Sequence, residues 1–171
     1  MKTSEFIVSA ASYYIGQLEE KANSGFVSEA FEKEMKAVGF YKGAPWCMFF
    51  VKLIWKKAYR KHETLSGVVN RMLNGSALMS YNNMKNNKSF ELCDEPLPGS
   101  IVIWRHGNTD KGHAGIVIAK IDANTFKTIE GNTNQHGSRE GEIVAEKLRT
   151  LKRPFKADGL NLIGFINPIE L

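Results

Sequence analysis

Only two cysteines, Cys47 and Cys93, occur in the 171 residues. Two thiols make neither a disulfide framework nor a metal cluster, although a single bridge between them is open. No apolar run approaches the roughly 20 residues of a membrane-spanning helix. The N-terminal apolar stretch is short and interrupted by Glu5, which excludes a signal peptide and predicts a chain made in the cytoplasm and soluble as made. Prolines number only five, no linker, repeat or low-complexity tract is visible, and the length suits one domain, so residues 1–171 are expected to form a single unit.

What is present is an ordinary globular balance, 43% apolar and 24% charged, with a net charge of +5. That charge favours an acidic partner: nucleic acid, an anionic membrane or a cell-wall polymer. The densest basic run, Lys52 to Lys61, carries no nucleic-acid motif. Lys52, Lys56 and Arg60 share one helical face, which is read as solvated.

The chain falls into a helical half and a strand half. Helices are expected over residues 3–18, 29–38 (capped by Ser28 and ended by Gly39), from about 46 to about 61, and over 66–87 in two pieces broken near Gly75. Residues 21–25 read as a loop. The turn Glu95-Pro96-Leu97-Pro98-Gly99 starts a sheet. Strands are expected over 100–105, 113–121, 125–130, 143–151 and 162–166, with a hairpin turn at 122–124 and a polar loop over 132–141. Helices first and an antiparallel sheet after them predict an α+β fold.

Chemistry concentrates at the start of the third helix, in Pro45-Trp46-Cys47-Met48-Phe49-Phe50. Pro45 suits a first turn. Apolar residues at 46, 49, 50, 53 and 54 mark one helical face. Cys47 then lies where unpaired backbone N–H groups and the positive end of the macrodipole favour an anion, so its thiolate is a candidate nucleophile. The competing reading is a small core residue among aromatics.

A nucleophilic thiol needs a base and an orienting group. Of four histidines, His62 sits among charges at a helix end, and His106 and His136 lie in glycine-flanked loops. His113 opens a strand, beside the small residues Ala114 and Gly115, and is the candidate base. Glu130 and Asn132 at the end of the return strand are candidate orienters. A simple hairpin about Ala123 would set His113 near Thr133 and closer to Asn132. Glu130 therefore requires a bulge, or strands that are not simple partners.

The motifs Pro45-Trp46-Cys47, Pro98-Gly99-Ser100-Ile101-Val102-Ile103-Trp104, Gly112-His113-Ala114-Gly115-Ile116-Val117 and Ile129-Glu130-Gly131-Asn132 together resemble the CHAP family of cysteine, histidine-dependent amidohydrolases/peptidases. These are related to NlpC-type cell-wall peptidases. The resemblance spans roughly residues 5–166. It implies a papain-like fold, with the nucleophile at a helix N-terminus packed on the sheet. It also implies a site of Cys47, His113, Glu130 and Asn132, and hydrolysis of peptidoglycan amide bonds. Ser100 replaces the Asp that many relatives carry, a position read as structural. The Asp-rich calcium loop of some relatives is missing, so no metal and no cofactor are expected.

Trp46 and Trp104 are placed in the substrate cleft, with core packing the competing reading for at least one. The expected partner is peptidoglycan, reached after lysis by a phage-type lysin or through dedicated secretion by an antibacterial effector with an immunity or delivery protein. No nucleic-acid partner and no membrane span are expected, and a monomer is. The rival is a catalytically inactive papain-like module that binds cell wall or a protein.

Overall fold

The computed structural model describes residues 1–134 and 141–171. The helical half contains α1 (Thr3–Tyr13), α2 (Glu29–Ala37), α3 (Cys47–Tyr59), α4 (Glu63–Met72) and α5 (Ala77–Asn87). The strand half contains β1 (Leu92–Cys93), β2 (Ile101–His106), β3 (Gly112–Lys120), β4 (Thr125–Thr133), β5 (Ile143–Thr150) and β6 (Leu160–Ile166). The strands form one antiparallel sheet in the order β1-β6-β2-β3-β4-β5. The architecture is α+β. No helix among the described residues is long and apolar enough to cross a membrane.

Local chemistry accounts for most boundaries. Ser28 caps α2, its hydroxyl accepting from the Phe31 N–H at 3.3 Å, and Gly39 at φ +106° ends it. Gly75 lies in the break between α4 and α5, where a Cβ would meet Phe49 Cζ at 2.6 Å. α1 stops at Tyr13, five residues short of expectation, since the chain after it turns to bond along β5: the Gly16 N–H donates to the Val144 carbonyl. The segment expected as loop contains a 3₁₀ turn, Lys21–Asn23. β1 is an additional two-residue strand, made only by pairing with β6.

α3 is buried from Cys47 through Trp55. It packs on β3 and β4 and is flanked by α1, α2 and α4, so a helix covered all round has no solvent face to spare. This corrects the reading of Lys52 as solvated: it is 9% exposed and its ammonium donates to the Asn70 carbonyl at 3.0 Å. Burial, then the charge of Lys56, lowers its pKa. Arg60, past the helix end, is exposed.

The sheet has two unlike faces. Ile101, Ile103, Ala114, Ile116, Ile129 and Val144 join the helices in the main core. On the other face Val102, Trp104, Val117, Phe126 and Phe165 form a second, smaller core. Strand alternation puts His113, Gly115, Thr128, Glu130 and Arg149 on this second face.

Candidate active site

Cys47 is the first residue of α3 and 4% exposed. Trp46, the N-cap, offers no side-chain acceptor to the helix. The Phe50 N–H donates to the Trp46 carbonyl, which leaves the N–H groups of Cys47, Met48 and Phe49 ahead of the first intrahelical bond. Both thiols are free. Cys93 donates to Asn167 Oδ1 at 3.0 Å, an atom that also accepts from buried Ser100 at 2.9 Å. Ser100 is thereby tied into the base of the sheet.

His113 is the second residue of β3, opposite Trp104 of β2. Its ring lies 5.7 Å from the indole at an interplanar angle of 26°. Its Nε2–H donates to Glu130 Oε2 at 2.7 Å, which leaves Nδ1 as the ring nitrogen without that partner, and Cys47 is close enough to act on the ring. The register explains how Glu130 reaches it. A bulge between Val117 and Ala119 shifts the hairpin, and Ile116 pairs with Ile129, which sets Glu130 beside Gly115. A Cβ on Gly115 would lie 2.6 Å from Glu130 Cγ. The missing side chain lets the carboxylate lie across β3 to the imidazole two residues away.

Glu130 is fully buried and accepts four hydrogen bonds. Its Oε1 takes the Thr128 hydroxyl at 2.5 Å and Arg149 Nε at 2.7 Å. Its Oε2 takes His113 and Arg149 Nη2, the latter at 2.5 Å. Every lone-pair site of the carboxylate is thus used. Arg149 comes from β5, and its guanidinium lies 5.0 Å over the Trp104 ring. Sequence reasoning missed Arg149 and Thr128. Their signal was weak: alternation places Thr128 on the Glu130 face, but only the register of Phe126 with Arg149 brings the arginine there.

Burial alone would push the Glu130 carboxyl up. The hydrogen bond from Arg149, then those and the charges of His113 and Arg149, hold it down at about 2. Burial pushes His113 down, but the hydrogen bond and charge of Cys47, followed by those of Glu130, raise it to about 9. The imidazole is therefore set to carry a proton at neutral pH.

Asn132 lies at a register break near the end of β4, with φ +52° and partial exposure. Trp46 corrects an expectation. It is 0% exposed, packed edge-on against Phe26 and Phe31, covered by Gly131, and its indole N–H donates to Glu19. An indole so enclosed is core and does not line a cleft. Trp104 is also buried, and it borders a cavity of about 460 Å³ with Arg149, Leu151 and Leu160. Elsewhere, the His62 imidazole caps α4 by accepting from the Leu65 N–H, His106 ends β2, and His136 lies outside the described residues. So does most of the expected 132–141 loop, whose first two residues belong to β4.

Comparison with protein families finds that the CHAP domain matches residues 39–132. No curated protein and no solved structure matches the chain. The matched stretch is more than half of the 171 residues. It runs from the turn before α3 to the end of β4 and contains Cys47, His113, Glu130 and Asn132. The family is one of amidase- and peptidase-type hydrolases acting on peptidoglycan. Through these residues the chain belongs to the CHAP-domain family.

Proposed function

We propose that this protein is a cysteine-dependent hydrolase of peptidoglycan amide bonds, with a papain-like arrangement in which Cys47 is the nucleophile. The observation that carries the reading is the position of His113, bonded through Nε2 to the buried Glu130 and close enough to Cys47 for the thiol to act on its ring. His113 Nδ1 takes the thiol proton, giving a thiolate–imidazolium pair. Glu130 holds the ring by its Nε2–H and stabilises its positive charge. Asn132 stands nearby as an alternative third member.

The thiolate attacks the amide carbonyl carbon, and the carbonyl electron pair moves onto oxygen. Backbone N–H groups at the start of α3, that of Cys47 among them, receive the oxyanion. The tetrahedral adduct collapses, the C–N bond breaks, and His113 protonates the leaving amine. Water, deprotonated by His113, then hydrolyses the thioester and frees the thiol.

The scissile bond is that of an N-acetylmuramoyl-L-alanine amidase or of a stem- or cross-bridge endopeptidase. Residues 1–171 act as one catalytic unit, a monomer, which reaches the wall after lysis or by dedicated secretion. A phage-type lysin fits the first route. An antibacterial effector with an immunity or delivery partner fits the second.

The test is digestion of purified peptidoglycan by wild type and Cys47→Ala, with products read by mass spectrometry. Wild type is expected to release fragments whose masses identify the bond, and the variant none. A variant that digests at the wild-type rate sinks the mechanism. A wild type that releases nothing from walls of several compositions points instead to a wall- or protein-binding module.

A further inference from the structure

The candidate site brings together four ionisable groups from four elements: His113 on β3, Glu130 on β4 and Arg149 on β5, joined by hydrogen bonds, and Cys47 on α3, close enough to His113 to act on its ring. Glu130 is 0% exposed, while the His113 and Arg149 side chains are 12% and 25% exposed. Charges this far from water interact strongly, and an unbalanced one is costly. With the thiolate formed, the catalytic three would sum to one negative charge. Arg149 brings the sum to zero.

We propose that Arg149 is a positioning residue that balances the buried charge of the site, so that Cys47 can be held as a thiolate while Glu130 stays ionised. The inference rests on the hydrolase reading for the roles of Cys47 and His113, and it adds a member from outside the stretch that matches the family. The geometry is specific to arginine. Nε and Nη2 grip both oxygens of Glu130 in a fork, and the guanidinium plane lies over Trp104, whose ring also stacks on His113. Arg149 thus touches the base through two routes: its carboxylate partner and its aromatic neighbour.

Among the described residues, other charged groups nearby make contacts of their own. Lys147, two residues before Arg149 on β5, donates to the Asn134 carbonyl. Glu19 accepts from the Trp46 indole. Lys127, on β4, pairs with Glu146 of β5. Without Arg149, the site relieves its excess negative charge most readily by taking a proton from solvent onto the thiol while His113 stays an imidazolium, a state in which the three sum to zero.

The experiment is the rate of Cys47 alkylation by iodoacetamide as a function of pH, followed by peptide mass spectrometry. Wild type is compared with Arg149→Met, Arg149→Lys and the double variant E130Q/R149M. Arg149→Met is expected to move the rate profile to higher pH, slowing alkylation at neutral pH by about tenfold for each unit of displacement. Arg149→Lys, which keeps the charge but loses the fork and the stacking, is displaced less than Arg149→Met. The double variant, which removes one charge of each sign, returns towards wild type, a rescue that a merely structural role would not produce. A profile unmoved by Arg149→Met, or a displacement retained in full by the double variant, overturns the proposal.

If Arg149→Met does not fold, the charge is removed in the Glu130→Gln background instead. There the double variant must lie at higher pH than Glu130→Gln alone, and coincident profiles overturn the proposal. A wild-type Cys47 that reacts no faster than Cys93 at neutral pH counts against the hydrolase reading. The displacement between variants, followed into the alkaline range, still decides the role of Arg149.

Discussion

A fully buried glutamate is costly unless its charge is met, and Glu130 is met by four donors. The consequences for pH have opposite signs. His113 is raised from 6.5 to about 9, so its pairing contributes stability that is fully present below 6.5 and lost as pH rises through about 9. Glu130 is lowered from 4.5 to about 2, so its contribution is present above 4.5 and lost as pH falls through about 2. Thermal unfolding scans across pH are expected to show this site's contribution undiminished only between pH 4.5 and 6.5, declining above 6.5 towards about 9 and below 4.5 towards about 2. Hydrolysis should fall on the alkaline side near pH 9, where the imidazolium that protonates the leaving amine is lost. A rate still rising well above that pH would contradict the assignment. A second prediction concerns Gly115, whose added Cβ would strike Glu130 Cγ at 2.6 Å. Because four bonds hold the carboxylate, Gly115→Ala is expected to cost about 1–3 kcal/mol in urea unfolding, as overpacking does, and to lower the hydrolysis rate. Wild-type stability and rate in that variant would show that the glutamate can step aside.

Helix starts differ in what they do with their unpaired N–H groups. α2 spends one on Ser28, which is a stabilising cap. Ser28→Ala is expected to cost about 1 kcal/mol, measurable as a lower denaturant midpoint, while the Cys47 alkylation rate stays at the wild-type value. A slower thiol would mean that α2 and α3 are coupled more tightly than their packing implies. α3 begins instead on Trp46, which supplies no acceptor. The indole serves the core, and the N–H groups beyond it are left for chemistry. The bulges in β3 and β4 work in the same direction, trading ladder regularity for the aim of one carboxylate.

The two faces of the sheet divide the labour of the molecule. The helices cover one face, and their core fixes where α3 and Cys47 stand. The other face carries a small core under the charged groups, with Trp104, Phe126 and Phe165 at its centre. Phe126 is 0% exposed, its ring nearly parallel to Trp104 at 6.5 Å. Phe126→Ala is expected to cost about 3–5 kcal/mol and to slow hydrolysis, since Trp104 backs His113. Urea unfolding with the assay run on folded protein would separate the two effects. A loss below about 1 kcal/mol would show that the second core relaxes around the gap.

The order of elements, the helix starting at Cys47, the caps at Ser28 and Gly39, the break at Gly75 and five of the strands were legible in the sequence. Each depends on periodicity or on a local property of one residue, and both survive in a linear string. The same holds for Cys47, His113 and Glu130 as residues of note. Tertiary structure decided what depends on pairing. Which acceptor meets His113 was open, because the bulge after Val117 that places Glu130 beside Gly115 leaves no mark in side-chain pattern. Arg149 was invisible, because it comes to Glu130 through the register of β5 on β4. Lys52 was misplaced for a related reason. Hydrophobic pattern reports one face of a helix, whereas α3 is buried at every position from Cys47 through Trp55, and burial of that kind is a property of the neighbours.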